Sequence, residues 1–304
     1  MTASAELTST RAISWARRRA AVARTWRDFR AQRAGVVGLI LLGAVALVAV
    51  SAPLFIDSSE LSVTQATGGR MEPPSAGYPL GTDEVGRSVL ILTVWGARLS
   101  LVVGLTATVL AIFIGTVLGI SSGHVGGWYS WLVIRFTDWF IVLPGLVVAF
   151  ALLAVLGRGV TTTIIVIAFT SWAGTTRLVR AQTLSIHGRP YLERARALGA
   201  GHWHQMTRHI LPNVLPLVLA SATLMVPSAI LTESTLAFLG LGDPNVVSWG
   251  SILNRAWRNG AISAEAWWYL LPPGFAILVV VSCFMLCGRA LEAVVNPRLR
   301  GGSR

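Results

Sequence analysis

Apolar and polar residues fall along this chain in long blocks, not in short alternations. Six blocks are apolar and long enough to cross a membrane: 35–56, about 99–121, about 139–156, about 160–176, about 214–239 and about 269–290. Each holds roughly 17–26 residues, which at about 1.5 Å per residue matches a hydrocarbon core about 30 Å thick. The third and fourth are separated only by Gly157-Arg158-Gly159, so they form a tight hairpin. The pattern predicts an all-α, polytopic membrane protein with six transmembrane helices.

The segments between the blocks carry their own patterns. Over 11–33, Trp15, Val22, Trp26 and Phe29 recur at helical spacing, with Arg17, Arg24 and Arg27 opposite. That predicts a helix lying on an anionic membrane surface. The 57–98 segment is rich in breakers, and its Met71-Glu-Pro-Pro74 run blocks a continuous helix. Trp267-Trp268-Tyr269, just before the last block, suit the membrane interface. The chain therefore divides into a cytoplasmic amphipathic segment (1–34), a first span with an extracytoplasmic loop (35–98), a core of five spans (99–292) and a cytoplasmic tail (293–304).

Charge sets the orientation. All 25 basic residues are arginine. With the N-terminus inside, 19 of them fall on the cytoplasmic side. Six fall outside (70, 87, 98, 158, 255 and 258), together with most of the acidic residues. Both termini are expected in the cytoplasm of a plasma (inner) membrane protein. The first apolar block follows a long arginine-rich segment and exceeds a leader's hydrophobic core, so it reads as a span. The net charge of +12 follows this topology and does not indicate nucleic acid.

Several chemistries are excluded. Without lysine the chain cannot be a P-loop NTPase, a Schiff-base enzyme or a protein kinase. Gly-x-Ser-x-Gly and His-Glu-x-x-His are absent, and no acidic pair marks a hydrolase. His202 and His204 lack the further ligands a metal site needs and read as solvated or interfacial residues. Cys283 and Cys287, four apart in the last block, read as buried packing thiols.

One polar segment stands out, 177–212. Leu192, Ala195 and Leu198 form a short apolar stripe, Gly199 can end a helix in the left-handed conformation, and Trp203, Met206 and Ile210 share a face of a second helix ending near Leu211. Pro212 then directs the chain into the fifth span. Periodicity alone leaves two readings level: a surface for a partner protein, or an amphipathic loop resting on lipid.

The spacing Glu193-x-Ala195-x-x-x-Gly199, followed by Leu211-Pro212, resembles the EAA loop of ABC importer permeases. Glu193-Arg-Ala-Arg-Ala-Leu-Gly199 with Arg208-His-Ile-Leu-Pro-Asn213 is similar to the dipeptide/oligopeptide/nickel group. Leu80-Gly-Thr-Asp-Glu-Val-Gly-Arg87, Phe238-Leu-Gly-Leu-Gly242 and Trp249-Gly250 match further pieces of that group in order. The sequence departs from it at Arg194, where the motif has its first alanine, and at Ser88, where aspartate is frequent.

The resemblance implies a type I ABC importer permease fold, most like the second (C-type) dipeptide permease. The chain would form half of a translocation pathway for di- or oligopeptides, without catalysis or a cofactor of its own; ATP and Mg would sit on partner ATPases. The implied partners are a homologous permease, two ATPase subunits or domains, an extracytoplasmic peptide-binding protein and membrane lipid. Tyr191, Glu193, Arg194, Ala195, Leu198, Gly199, Trp203, Met206, Leu211 and Pro212 would make the coupling surface, with Glu193 capping or salt-bridging at the joint. The same machinery could carry nickel, glutathione or another small solute. A stand-alone secondary transporter or an intramembrane enzyme would lack a reason for this loop.

Within the spans, Glu233 reads either as an interhelical hydrogen-bonding group or as part of a pathway or gate. Arg135 and Asp138 are spaced for an ion pair. Pro144 and Pro227 are expected to interrupt the third and fifth spans, Pro227 as a possible gate element; Gly104, Gly115 and Gly119 punctuate the second.

Overall fold

The structure, a computed structural model, describes residue 23 and residues 26–295. Among these the chain is helical, and its only β feature is an isolated bridge between Thr82 and Ser88. The order is α1 (Arg33–Phe55), two 3-10 turns (Ser58–Leu61 and Val63–Gln65), α2 (Val89–Val125), α3 (Gly127–Val142), α4 (Gly145–Leu156), α5 (Val160–His187) and α6 (Pro190–Ala197). Then come α7 (His202–Phe238), α8 (Trp249–Arg258) and α9 (Trp267–Val295). Helices α1, α2, α5, α7 and α9 are each long and apolar enough to span; α3 and α4, bent by 91°, make the sixth candidate as a pair. The expected surface helix over 11–33 lies mostly outside the described residues. Of it, residues 26–30 are helical, with Trp26 stacked on Phe29 at 5.9 Å. The tail is likewise undescribed beyond residue 295.

The helices overrun the expected boundaries. Helix α2 starts at Val89, not at 99, and its 37 residues cover about 55 Å, well beyond a hydrocarbon core of about 30 Å. Helix α5 continues to His187, and α7 starts at His202, twelve residues before the expected 214. Hydropathy marks where lipid touches a helix, whereas backbone hydrogen bonding propagates past that point once started. The third span also differs. Pro144 breaks it, so α3 leaves at a steep angle and α4 is only 12 residues long. Pro227 has no such effect: the helix Leu211–Phe238 runs through it.

Helix α2 is the centre of the bundle and packs most extensively on α5. Small residues make this possible. A Cβ built at Gly115, Gly119 or Gly123 would sit 2.6, 2.7 or 2.8 Å from the Cβ of Thr175, Val179 or Thr183. The two rows repeat every four residues, the close-approach pattern of membrane helices. Helices α1 and α9 meet in the same way, where Gly38 lies against the Cys283 carbonyl and the Cys287 thiol donates to the Gly35 carbonyl at 3.6 Å.

Asp138 pairs with Arg177 of α5 at 2.5 Å instead of with Arg135. Arg135 lies over the Trp131 ring, 5.8 Å from its centroid. Arg180 of α5 reaches Ser130 at 3.2 Å, so two arginines of one helix clasp α3.

The loop between α1 and α2 is folded, despite its breakers. Buried Asp83 accepts from the Val85 and Arg87 amides at 3.0 and 2.8 Å and pairs with the buried Arg87 guanidinium at 2.7 Å. Arg87 also donates to the Leu61 carbonyl at 3.2 Å, and the Tyr269 hydroxyl donates to Glu84. Thus Thr82-Asp-Glu-Val-Gly-Arg87 ties the loop to α9. Helix α8, not foreseen in the 240–268 loop, is held by a Ser248/Ser251 capping box and by the Trp249 indole, which donates to the Thr93 carbonyl at 2.9 Å.

Candidate functional site

The loop between α5 and α7 is shorter than its sequence indicates, because helix occupies both of its expected ends. Pro190 opens α6 at a position where its missing amide hydrogen costs nothing. The helix closes on Leu198 and Gly199. Gly199 has φ +79°, its amide donates to the Arg196 carbonyl, and the Ala200 amide donates to the Ala195 carbonyl at 3.0 Å. This paired closure is the Schellman motif, and its left-handed residue favours glycine.

The expected stripe Leu192, Ala195, Leu198 is split. Leu192 and Ala195 are buried, and Leu192 clusters with Ile120 of α2, Val179 and Ile186 of α5, and Ile210 and Val214 of α7. Leu198 turns away and is 87% exposed, because the helix has already ended beneath it. The expected face Trp203, Met206, Ile210 is split as well. Ile210 is fully buried and Met206 packs beside it, but Trp203 is 75% exposed. The reason is the π-helical stretch Gln205–Ile210. A π turn holds more residues than an α turn, so it rotates the residues on its N-terminal side relative to those on its C-terminal side. There is also no separate second helix: Leu211 and Pro212 open the α-helical part of α7, which continues unbroken into the membrane.

The loop is clamped from behind by residues that spacing along the sequence does not bring together. Arg196 donates from Nε to Gln205 at 3.1 Å, and its Nη2 lies 3.0 Å from a ring nitrogen of His187. His187 lies 3.3 Å from His124, and His124 lies 3.1 Å from His202. Gln205 donates to the Ala200 carbonyl at 2.6 Å. The ends of α2 and α5, helix α6 and the start of α7 are thereby cross-linked by polar side chains. His202 is exposed, as expected, and its ring also joins this network. His124 and His187 lie at the ends of two helices, 63 residues apart in sequence, and only the α2–α5 packing juxtaposes them.

The free side chains face outward. Tyr191, Arg194, Ala195, Leu198, Gly199 and His204 line an open groove of about 590 Å³, and exposed Trp203 lies close by in the chain. The exposed Glu193 carboxylate makes no hydrogen bond or ion pair among the described residues, and it does not cap α6. An open groove, two exposed large apolar side chains and uncompensated arginines form a surface suited to burial by a protein.

Glu233 lies at the other end of α7. It is 4% exposed and accepts from Ser100 at 3.1 Å and Ser234 at 3.2 Å. The Trp249 amide donates to the same Ser100 hydroxyl at 3.3 Å. Glu233 therefore ties α7 to α2 and α8. Pro227 is buried nearly two turns earlier.

Comparison with known proteins agrees with this architecture. Residues 115–301 match the family described as binding-protein-dependent transport system inner membrane component. The chain belongs to this family. Residues 22–74 match the N-terminal TM domain of oligopeptide transport permease C. The chain is 34% identical over 282 residues to the oligopeptide transport system permease protein OppC of Bacillus subtilis, covering 90% of each chain. It is 34% identical over 280 residues to the dipeptide transport system permease protein DppC of Alkalihalophilus pseudofirmus, again covering 90% of each. A putative peptide transport system permease protein of Brucella suis is 36% identical over 280 residues, covering 91% of this chain and 92% of its own. The family's chains are multi-pass membrane permeases, as the apolar helices here require.

Proposed function

We propose that this chain is one permease subunit of an ATP-driven peptide importer, forming half of the pathway beside a homologous second permease. Two ATPase subunits or domains dock on the cytoplasmic face of the assembly, one of them on the 188–204 surface of this chain. An extracytoplasmic binding protein delivers peptide to the opposite side, with both termini in the cytoplasm. The observation that carries the reading is the groove around Gly199, flanked by exposed Leu198 and Trp203. Relatives named for oligopeptides and dipeptides favour peptide cargo over nickel or another small solute.

The subunit performs no bond chemistry; ATP and Mg belong to the ATPases. Closure of the two ATPases moves α6, and because Leu192 and Ile210 lock α6 to α2, α5 and α7, the displacement reaches the spans as a rigid shift. The test is a cysteine at Ala197 or Ala200 carrying a short crosslinker in native membranes, combined with peptide-stimulated ATP hydrolysis by the purified assembly. Crosslinks to a nucleotide-hydrolysing protein are expected. Capture of lipid alone, with no peptide effect on hydrolysis, would remove the proposal.

A further inference from the structure

The outer end of the bundle holds a second pocket, of about 530 Å³. Its basic wall carries Arg98 and Arg255, with Arg87 at its edge. Arg87 is already neutralised by Asp83. Arg98 and Arg255 are half-buried, and neither has an ion-pair partner among the described residues. Arg98 lies over the Trp95 ring, 4.4 Å from its centroid. Stacking occupies the face of a guanidinium and leaves its in-plane N–H edge for a planar acceptor. Arg255 makes one long contact, from Nε to the Ser251 carbonyl at 3.4 Å, which leaves its terminal nitrogens available.

Apart from Asn245, the remaining walls are apolar, among them Val63 of the first outer loop, Leu99 and Val102 of α2, and Val246 and Val247 of the second outer loop. Two partly desolvated arginines above an apolar floor fit an oxyanion carried on an apolar body. A smaller cavity of about 20 Å³ shares Leu99 and Val246 with this pocket and has Glu233 and Asp243 in its lining. Asp243 makes the far side of that common wall acidic, opposite in charge to the arginine side, just as the two ends of a free peptide are opposite. A lipid phosphate has no use for the acidic side, and much of the pocket is built from extracytoplasmic loops.

We propose that this outer pocket receives the free C-terminal carboxylate of an incoming peptide. The inference rests on the peptide-importer reading and adds a site on this subunit where one end of the cargo is held.

The test uses the assembled transporter in nanodiscs without its binding protein. The probe is a tripeptide with a photoreactive aromatic side chain, supplied as the free acid and as the C-terminal amide. The free acid is expected to label Val63 or Val247 about ten- to a hundredfold more than the amide, the span of a charge-assisted hydrogen-bond pair. Arg98→Gln with Arg255→Gln is expected to abolish that difference. Should the double variant fail to assemble, the acid–amide comparison on the native complex still decides.

Equal labelling by acid and amide would overturn the proposal. So would suppression of labelling by phosphatidylglycerol but not phosphatidylcholine, which would assign the site to a headgroup. Protection of the pocket only by a docked binding protein, with no labelling by peptide, would assign it to docking and overturn it too. Loss of the peptide-importer reading has a different signature, since neither probe would then stimulate ATP hydrolysis once the binding protein is added back.

Discussion

Replacing Gly199 by valine tests the proposed coupling surface with little collateral damage. A Cβ at this position would meet nothing within 4 Å, so the substitution creates no clash and removes no buried contact. The whole cost lies in the backbone. At φ +79° a β-branched residue is disfavoured by about 2 kcal/mol or more. Since about 1.4 kcal/mol is tenfold, the closed turn becomes roughly thirtyfold less favourable against alternatives that continue or fray α6. In those alternatives the Ala200 and Gly199 amides leave the Ala195 and Arg196 carbonyls, and Leu198 and Arg194 no longer frame one groove. Membrane insertion is expected to be normal. Peptide uptake and peptide-stimulated ATP hydrolysis by the reconstituted assembly are expected to fall together, by about tenfold or more. Gly199→Asn is the control, because asparagine tolerates the left-handed region, and it should retain most activity. Wild-type coupling in the valine variant, or equal failure of valine and asparagine, would refute the reasoning.

Three more outcomes rest on the same geometry. Leu198→Asp with Trp203→Ala should release the ATPases from the detergent-purified assembly, with at least roughly thirtyfold weaker retention if these side chains are interface anchors worth about 2 kcal/mol or more; pull-down at graded salt reads it. Asp83→Asn should leave the buried Arg87 with only the looser Glu84 contact at 3.8 Å, destabilising the 57–88 loop by up to about 3 kcal/mol, seen as new proteolytic cleavage within residues 57–88. Gly119→Leu forces a side chain into Val179, whose Cβ is 2.7 Å from the site. Overpacking of this kind costs about 1–3 kcal/mol or more, and a lowered thermal midpoint in detergent, rescued in part by Val179→Ala, is the expected result.

Much of this architecture is legible in the sequence because lipid imposes a coarse rule. Backbone polar groups must be satisfied internally, so apolar blocks become helices. That rule gives the number and order of spans but not their ends. Arg177 to His187 look like loop by polarity and are helix, since a polar helix continues readily once it leaves the hydrocarbon. The ion pair of Asp138 was not legible for a related reason. Spacing along one helix offered Arg135, but a partner across a helix contact, Arg177, is fixed only by how α3 packs on α5.

The loop around Gly199 shows the same division at closer range. Its glycine closure is local chemistry and could be read from Leu198-Gly199. Which apolar residues turn outward could not, because an early helix end frees Leu198 and a π turn rotates Trp203, and neither leaves a periodic trace. The clamp behind them depends on tertiary packing, since His124, His187 and His202 come together only when glycines let α2 and α5 approach closely. On the proposed reading this has a mechanical consequence. A surface helix that merely rested on the bundle would absorb a push by sliding. Helix α6 is instead pinned on one side by Leu192 in an apolar cluster and on the other by Arg196 in a polar one. A force applied at the groove must therefore move the ends of α2, α5 and α7 together, as a lever acting on a gate requires.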